Sequence, residues 1–281
     1  MSDNLNKKTV LITGSSSGMG FSTVLKFARD GYVTYASTRK LDSPAIQEFE
    51  SIAKKENLSI TPIYLDLVDH KSIEEAVVKI IKETGRIDVL INNAGYGYLS
   101  AVEDIDATRF SRQFETNVGG VLKTIQTVIP YMRNQGKGLI INISSIMGFS
   151  TAPLNAPYSS SKYALECISE TLALEVKPFG INVVIVQPGG FHTKFLENAV
   201  HQEYKQTSPY LKLYLRKDAK KSAGTENKDP SIVADLLLKI SKSDNPKLRY
   251  MIGKEVLIKK LLHTFLIDSL WIKFLRFYYK W

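Results

Sequence analysis

The stretch TVLITGSSSGMG, residues 9–20, decides how the chain is read. An apolar, β-branched run, Thr9–Thr13, gives way at once to Gly14, and Gly18 and Gly20 follow before a helical period begins. β-Branched residues favour a strand. Glycines permit a tight turn in which backbone N–H groups approach a ligand closely. The helix opening there, with Phe21, Val24, Leu25 and Ala28 at helical spacing, turns its positive end toward that ligand, which suits a pyrophosphate. The spacing is G-x-x-x-G-x-G, not the better-known G-x-G-x-x-G, and a plain tight turn is the competing explanation. Gly14, Ser15, Ser17, Gly18, Met19 and Gly20 are the candidate phosphate-loop residues.

Further along, short β-rich runs alternate with helical segments, the pattern of a parallel α/β sheet. Strands are predicted at Thr9–Thr13, Val33–Ser37, Ile60–Leu65, Val89–Ile91, Leu139–Ser144, Asn182–Val186 and Tyr250–Ile252. Gly31 stops the first helix. A second helix is predicted from Tyr158 to Val176, with Ala164, Ile168, Leu172 and Val176 on one face, ended by Pro178 and Gly180. The stretch 205–230 is polar and lysine-rich and reads as a mobile insertion, and residues 255–281 read as amphipathic helix. The expected organisation is a single domain: a core over 1–204, then a lid loop, last strand and basic helical tail over 205–281.

Apolar residues make up 44% and charged residues 23%, a globular composition. The basicity is local. Residues 205–281 hold 17 of the 37 Lys and Arg and 7 of the 28 Asp and Glu, a net +10, which leaves −1 for residues 1–204. Such a tail suits an acidic membrane surface or a simply solvated helical face. A nucleic-acid module is not expected, since the first 204 residues are nearly neutral. Cys167 is the single cysteine, which fits a reducing compartment. Neither a signal peptide nor a spanning helix is expected from the sequence. His70, His192, His201 and His263 show no ligand spacing, so no metal is expected.

The end of the second strand bears on cofactor choice. A carboxylate there would bind a ribose 2′-hydroxyl and repel a 2′-phosphate. This chain has Ala36-Ser37-Thr38-Arg39-Lys40 instead, with Arg39 able to offer a charged fork and Ser17 and Ser37 able to donate. NADP is expected over NAD. At the other end, Tyr158 and Lys162 stand at i and i+4 and share a helix face. An ammonium near a phenol is expected to lower the tyrosine pKa, making Tyr158 an acid or base toward a carbonyl or alcohol. Ser145 closes a buried strand at the edge where ligands gather.

Together these residues resemble the short-chain dehydrogenase/reductase family over about residues 8–195. The motifs fall in family order: the glycine loop, Asn92-Asn93-Ala94-Gly95, Asn117, Ser145, Tyr158-x-x-x-Lys162 and Pro188-Gly189-x-x-x-Thr193. The resemblance implies a Rossmann-type doubly wound parallel sheet with a C-terminal helical lid and tail. It implies that Tyr158 is the acid/base, Ser145 holds the substrate oxygen, and Lys162 binds the nicotinamide ribose. Asn117 would anchor a relay water. Asp66 and Leu67 would meet the adenine, and Asn93, Ala94 and Gly95 would line the cofactor. Pro188, Gly189 and Thr193 would hold the carboxamide. Ser160 and Met147 stand where the family often has alanine.

Asn92–Tyr98, Glu175–Ile181 and the long tail resemble the hydroxysteroid- and retinol-dehydrogenase-like branch. There a lid folds over the substrate; here it would include Phe191, Phe195, Leu196, Tyr204, Tyr210 and Leu213, unless these simply pack a core. The expected activity is oxidation or reduction of a hydrophobic ketone, aldehyde or alcohol with NADP(H). Alternatives are a reductase of a small polar or acyl-carrier-linked ketone and a non-catalytic cofactor-binding regulator. A cytoplasmic homo-oligomer, dimer or tetramer, is expected, with peripheral membrane contact through the tail as the variant.

Overall fold

Alternating strand and helix segments follow one another from the first described residue onward. The computed structural model describes residues 7–190, 199–204, 206–222 and 229–279. The chain runs β1 (Thr9–Ile12), α1 (Gly18–Arg29), β2 (Val33–Thr38), α2 (Pro44–Glu56), β3 (Ile60–Tyr64), α3 (His70–Thr84) and β4 (Val89–Asn92). After a two-residue strand β5 (Tyr98–Leu99) come α4 (Ala107–Phe114), a π-helical turn Glu115–Gly120, α5 (Val121–Gln135) and β6 (Gly138–Ile143). Then follow α6 (Ala156–Glu175), β7 (Ile181–Pro188), β8 (Val200–His201), α7 (Leu211–Ser222), α8 (Ser231–Ser241), β9 (Arg249–Ile252), α9 (Lys254–Phe265) and α10 (Asp268–Tyr279).

Seven strands pair in parallel in the order β3-β2-β1-β4-β6-β7-β9. Strand order reverses between β1 and β4, and in such sheets the crevice outside the carboxyl ends at that point receives the ligand. The central strands β1, β4, β6 and β7 are buried on both faces, so they are largely apolar runs without a polar side. Leu11, Leu90, Ile140 and Val183 face α3, α5 and α6 through Ile73, Val77, Ile125, Val128 and Leu165. Val10, Ile12, Ile91, Ile141 and Val184 face the opposite layer, with Val24 and Phe27 of α1, Phe49 of α2 and Leu237 of α8. This is the Rossmann-type, doubly wound single domain expected from the sequence.

Each predicted strand is present, with ends shifted by one or two residues. Three expectations need correction. The lysine-rich 205–230 stretch is not all insertion loop: Leu211–Ser222 is helical, and its Leu213 and Tyr214 pack with Ala101 and Leu154. The tail is two helices, broken at Leu266 and Ile267. In α6 the face expected to be buried is only partly so, with Ala164 and Ile168 half-exposed. The buried strip holds Tyr158, Ser161, Lys162, Leu165, Glu166, Ser169 and Leu172, and is largely polar.

Candidate active site

The glycine turn is held by the loop after β4. Thr13 Oγ1 accepts from the backbone N–H groups of Asn93 (3.0 Å) and Ala94 (3.1 Å). Asn93 Nδ2 donates to the carbonyls of Thr13 (3.0 Å) and Gly14 (2.9 Å). Gly14 has φ +68°, and a side chain there would bring its Cβ within 2.7 Å of Ala94 Cα. Only glycine meets both demands. Ser15 is fully buried and donates to Ile12 O (2.9 Å), so its side chain braces the turn rather than facing a ligand. Ser17 is the N-cap of α1 with no side-chain capping bond, which leaves its hydroxyl free of that duty.

Beside this turn lies a cavity of about 930 Å³. Its walls include Gly14, Ser17, Gly18 and Met19, then Ser37 and Arg39 at the end of β2 and Asp66 and Leu67 after β3. Asn93, Ala94 and Gly95 complete it on the β4 side. Ser37 Oγ is buried without a hydrogen-bond partner, and Arg39 is exposed nearby. A buried hydroxyl left unpaired costs free energy unless a ligand meets it. The walls therefore suit an adenine dinucleotide: small residues where phosphates pass, a helix N-terminus, an orphaned donor and a cation. Asp66 is partly engaged, since its Oδ1 accepts from Val68 N (3.2 Å).

Ser145, Tyr158 and Lys162 meet at the end of β6. The Tyr158 hydroxyl shares a hydrogen bond with Ser145. Ser145 Oγ also accepts from Met147 N at 3.1 Å, which fixes the serine rotamer. Lys162 Nζ donates to Ile143 O (2.8 Å) and lies 5.8 Å from the Tyr158 ring centroid. Burial, the larger influence, pushes Tyr158 up to about 12, and the Ser145 hydrogen bond opposes it. The expected lowering of the tyrosine pKa by Lys162 is not found: burial raises the group, and the opposing influence is the Ser145 hydrogen bond rather than the ammonium. Burial likewise brings Lys162 down to about 8, with Glu166 opposing.

Asn117 sits in the π-helical turn, a feature often found at functional positions. Its Oδ1 accepts from Tyr96 N (3.1 Å), and its Nδ2 donates to Tyr96 O (2.9 Å) and Ser161 Oγ (3.1 Å). A Cβ on Gly95 would lie 3.1 Å from Asn117 Oδ1 and 3.8 Å from Lys162 Nζ. Gly95 thus lets the cavity wall and α6 approach each other. Pro188 ends β7, and Gly189 N donates to Ile252 O (3.0 Å). Thr193, with Phe191, Phe195 and Leu196 of the expected lid, lies outside the described residues. Tyr204, Tyr210 and Leu213 pack on Ala101, Leu154 and Tyr214, the core-packing alternative for those lid positions. Among the described residues no cluster of His, Cys, Asp and Glu suits a metal ion.

Sequence reasoning missed two supports. Asn92 Nδ2 donates to Asn142 Oδ1, Asn142 Nδ2 to Ser169 Oγ, and Ser169 to Leu165 O, a buried polar chain from β4 through β6 into α6. Glu166 accepts from Gln187 Nε2 (2.9 Å) and Arg249 Nε (3.0 Å), tying α6 to β7 and β9. Nothing in local sequence marks these partners. Buried polar residues inside apolar strands were the available signal, since each demands one.

Strand order, switch point and glycine turn together define a nucleotide-binding α/β protein of the Rossmann type. Its family follows from comparison: the chain belongs to the short-chain dehydrogenases, whose family model matches residues 8–204, and is an oxidoreductase of that type. It is 35% identical to the uncharacterized oxidoreductase YusZ of Bacillus subtilis, over 97% of this chain and 98% of the relative. It is 37% identical to a 3-ketodihydrosphingosine reductase of Bacteroides thetaiotaomicron, over 98% and 99%. The crystal structure of a short-chain dehydrogenase from Streptomyces avermitilis superposes with a TM-score of 0.81 at 28% identity, covering 95% of each chain. Other solved structures of this fold hold NADP or 5-hydroxy-NADP, and another holds NAD.

Proposed function

We propose that the protein is an NADP(H)-dependent oxidoreductase that interconverts a hydrophobic ketone or aldehyde with its alcohol. The observation that carries this reading is the Tyr158–Ser145 hydrogen bond with Lys162 beneath it, at the strand end adjoining the dinucleotide-sized cavity. When bound, the nicotinamide supplies or accepts hydride at the substrate carbon. The protein handles the proton. Ser145 holds the substrate oxygen, and Tyr158 gives its phenolic proton to that oxygen during reduction. With burial raising it, Tyr158 carries its phenolic proton at neutral pH and has one to give. Lys162 binds the nicotinamide ribose and Asn117 positions the helix-side relay, while Pro188, Gly189 and Thr193 hold the carboxamide.

NADP over NAD is supported by the missing carboxylate after β2, by Arg39 at the cavity rim and by the unpartnered Ser37 hydroxyl. Asp66 and Leu67 serve the adenine. A lipid-like ketone is the leading substrate class, with steroids and retinoids behind it. The relative named as a 3-ketodihydrosphingosine reductase, similar along its whole length, supports that order.

The test is a screen of purified protein with NADPH and NADP⁺ against long-chain keto-lipids, steroid ketones, retinal and small polar keto-thioesters, followed at the nicotinamide absorbance. Turnover of a long-chain ketone with NADPH is expected. Turnover of the polar thioesters alone, or of none of the panel, would overturn the substrate reading.

A further inference from the structure

The last two helices form an antiparallel hairpin whose inner side is aromatic. Lys259 Nζ donates to the Tyr279 hydroxyl (2.9 Å) and lies 5.3 and 5.9 Å from the rings of Tyr279 and Tyr278. His263 meets Trp271 edge-on at 5.0 Å. Val256, Trp271 and Leu275 are buried. These contacts account for the inward side chains and leave many apolar ones outside.

On α9 the exposed apolar residues are Leu257, Ile258, Leu261 and Phe265. At 100° per residue they fall within an arc of about 100°, one continuous face. The hairpin tip exposes Phe265 to 79% and Ile267 to 67%. α10 adds Leu270, Ile272 and Phe277, the last 85% exposed. Soluble monomers rarely leave so many large apolar side chains in one region without a use.

Cations interleave with this apolar set. Residues 254–280 carry six Lys and Arg against Glu255 and Asp268. Lys273 and Arg276 are exposed on α10 among Ile272 and Phe277, and Lys254 stands on the outer arc of α9. Each helix has 12 residues, about 18 Å of length, well short of a bilayer core of about 30 Å. No helix among the described residues is long and apolar enough to cross a membrane. Apolar side chains flanked by long cationic ones, on a helix too short to span, match the interface of an anionic bilayer. A two-fold contact with a second copy would instead bring this net-positive surface against the same net-positive surface of its partner.

The hairpin's inner side reaches the catalytic end. His263 lies 6.3 Å from the Phe149 ring and Lys260 Nζ 5.0 Å above it, and Phe149 is in the loop that follows Ser145. The Glu255 carboxylate fills the space a side chain on Gly189 would need, just beyond β7.

We propose that the α9–α10 hairpin is a docking surface for anionic membranes, lying in the headgroup region with Phe265, Ile267 and Phe277 inserted. The docking stands apart from the catalytic reading. Its consequence, access of the site to a membrane-dissolved ketone, rests on that reading.

The experiment is flotation of the full-length protein with phosphatidylcholine vesicles, with and without a minority of phosphatidylglycerol. Strong flotation with the anionic vesicles, reduced by added salt, is expected. Each surface cation contributes roughly fivefold to binding, so Lys273→Glu with Arg276→Glu lowers it by at least about twentyfold. Phe265→Ser with Phe277→Ser lowers it at least about tenfold, with an unchanged melting transition because both rings are solvent-exposed. Absence of flotation with anionic vesicles would overturn the proposal. So would flotation indifferent to both double substitutions, or an oligomer that the phenylalanine pair dissociates while flotation persists. None of these outcomes depends on turnover, so failure of docking and failure of the catalytic reading separate cleanly.

Discussion

Replacing Lys162 by methionine should make the protein more stable and inactive. The Lys162 ammonium is buried, and burial brings its pKa from the ordinary 10.5 to about 8. At about 1.4 kcal/mol per pKa unit, holding it charged at pH 7 costs on the order of 3 kcal/mol. Methionine has a similar length and no charge. It deletes the donor to Ile143 O, however, and an unpaired buried carbonyl costs about 1–3 kcal/mol. The net expectation is a gain of up to about 2 kcal/mol, at most roughly 4 °C in Tm for a chain of this size. The pH dependence gives a second signature. The folded-state pKa lies below the unfolded one, so the penalty is complete below about pH 8 and is relieved as pH rises toward 10.5. Wild-type stability should therefore climb between about pH 8 and 9, below the range near pH 10 where the tyrosines that burial raises, Tyr158 and Tyr279 among them, oppose it. Lys259, also brought down to about 8 by burial, contributes a similar climb. The variant should keep roughly half the slope, measured by denaturant unfolding at several pH values. A variant that is destabilised, or one with the full wild-type slope, would refute the reasoning.

Tyr158→Phe should reduce the single-turnover rate by roughly 100- to 10,000-fold while NADPH affinity stays within about threefold, since one hydroxyl and its Ser145 hydrogen bond are removed. Retention of most of the rate would sink the acid/base assignment. Arg39→Asp should weaken NADPH binding by roughly tenfold to 150-fold and leave NADH nearly unaffected, as judged by titration calorimetry. Equal affinity of the wild type for both cofactors would contradict the role given to Arg39. Gly14→Ala should cost about 1–3 kcal/mol of stability and weaken cofactor binding, because φ is +68° and the methyl would meet Ala94 at 2.7 Å. Normal melting and binding would show that the turn is looser than described.

The sheet was legible because Thr9–Ile12, Val33–Thr38 and Leu139–Ile143 are apolar, β-branched runs closed by glycine or polar residues, a signal internal to each segment. The meeting of Tyr158 and Lys162 was legible because they are four residues apart on one helix. The chain Asn92–Asn142–Ser169 was not, because its members are 50 and 27 residues apart and only the folded register brings them together. The π-helical turn around Asn117 left no periodic trace. In α7 the lysines mask Leu211, Tyr214 and Leu215, which stand at helical spacing. The sign of the Tyr158 shift was misjudged for a different reason. Proximity of Lys162 can be read from spacing, whereas the depth of burial that raises Tyr158 belongs to the assembled core.

One edge of the sheet is β3, which pairs only with β2. Ser59 O and Leu65 N both bond to β2, so the odd-numbered residues turn their backbone groups inward and the even-numbered ones outward. Pro62 therefore stands where an outward N–H would be, and proline has none to offer. The gap breaks the row of donors that another extended chain would need to add itself to the sheet. Pro62 thus works as a guard against fibrillar growth at the side of the molecule farthest from the tail. A valine there would fit the strand equally well and leave that edge open to strand addition.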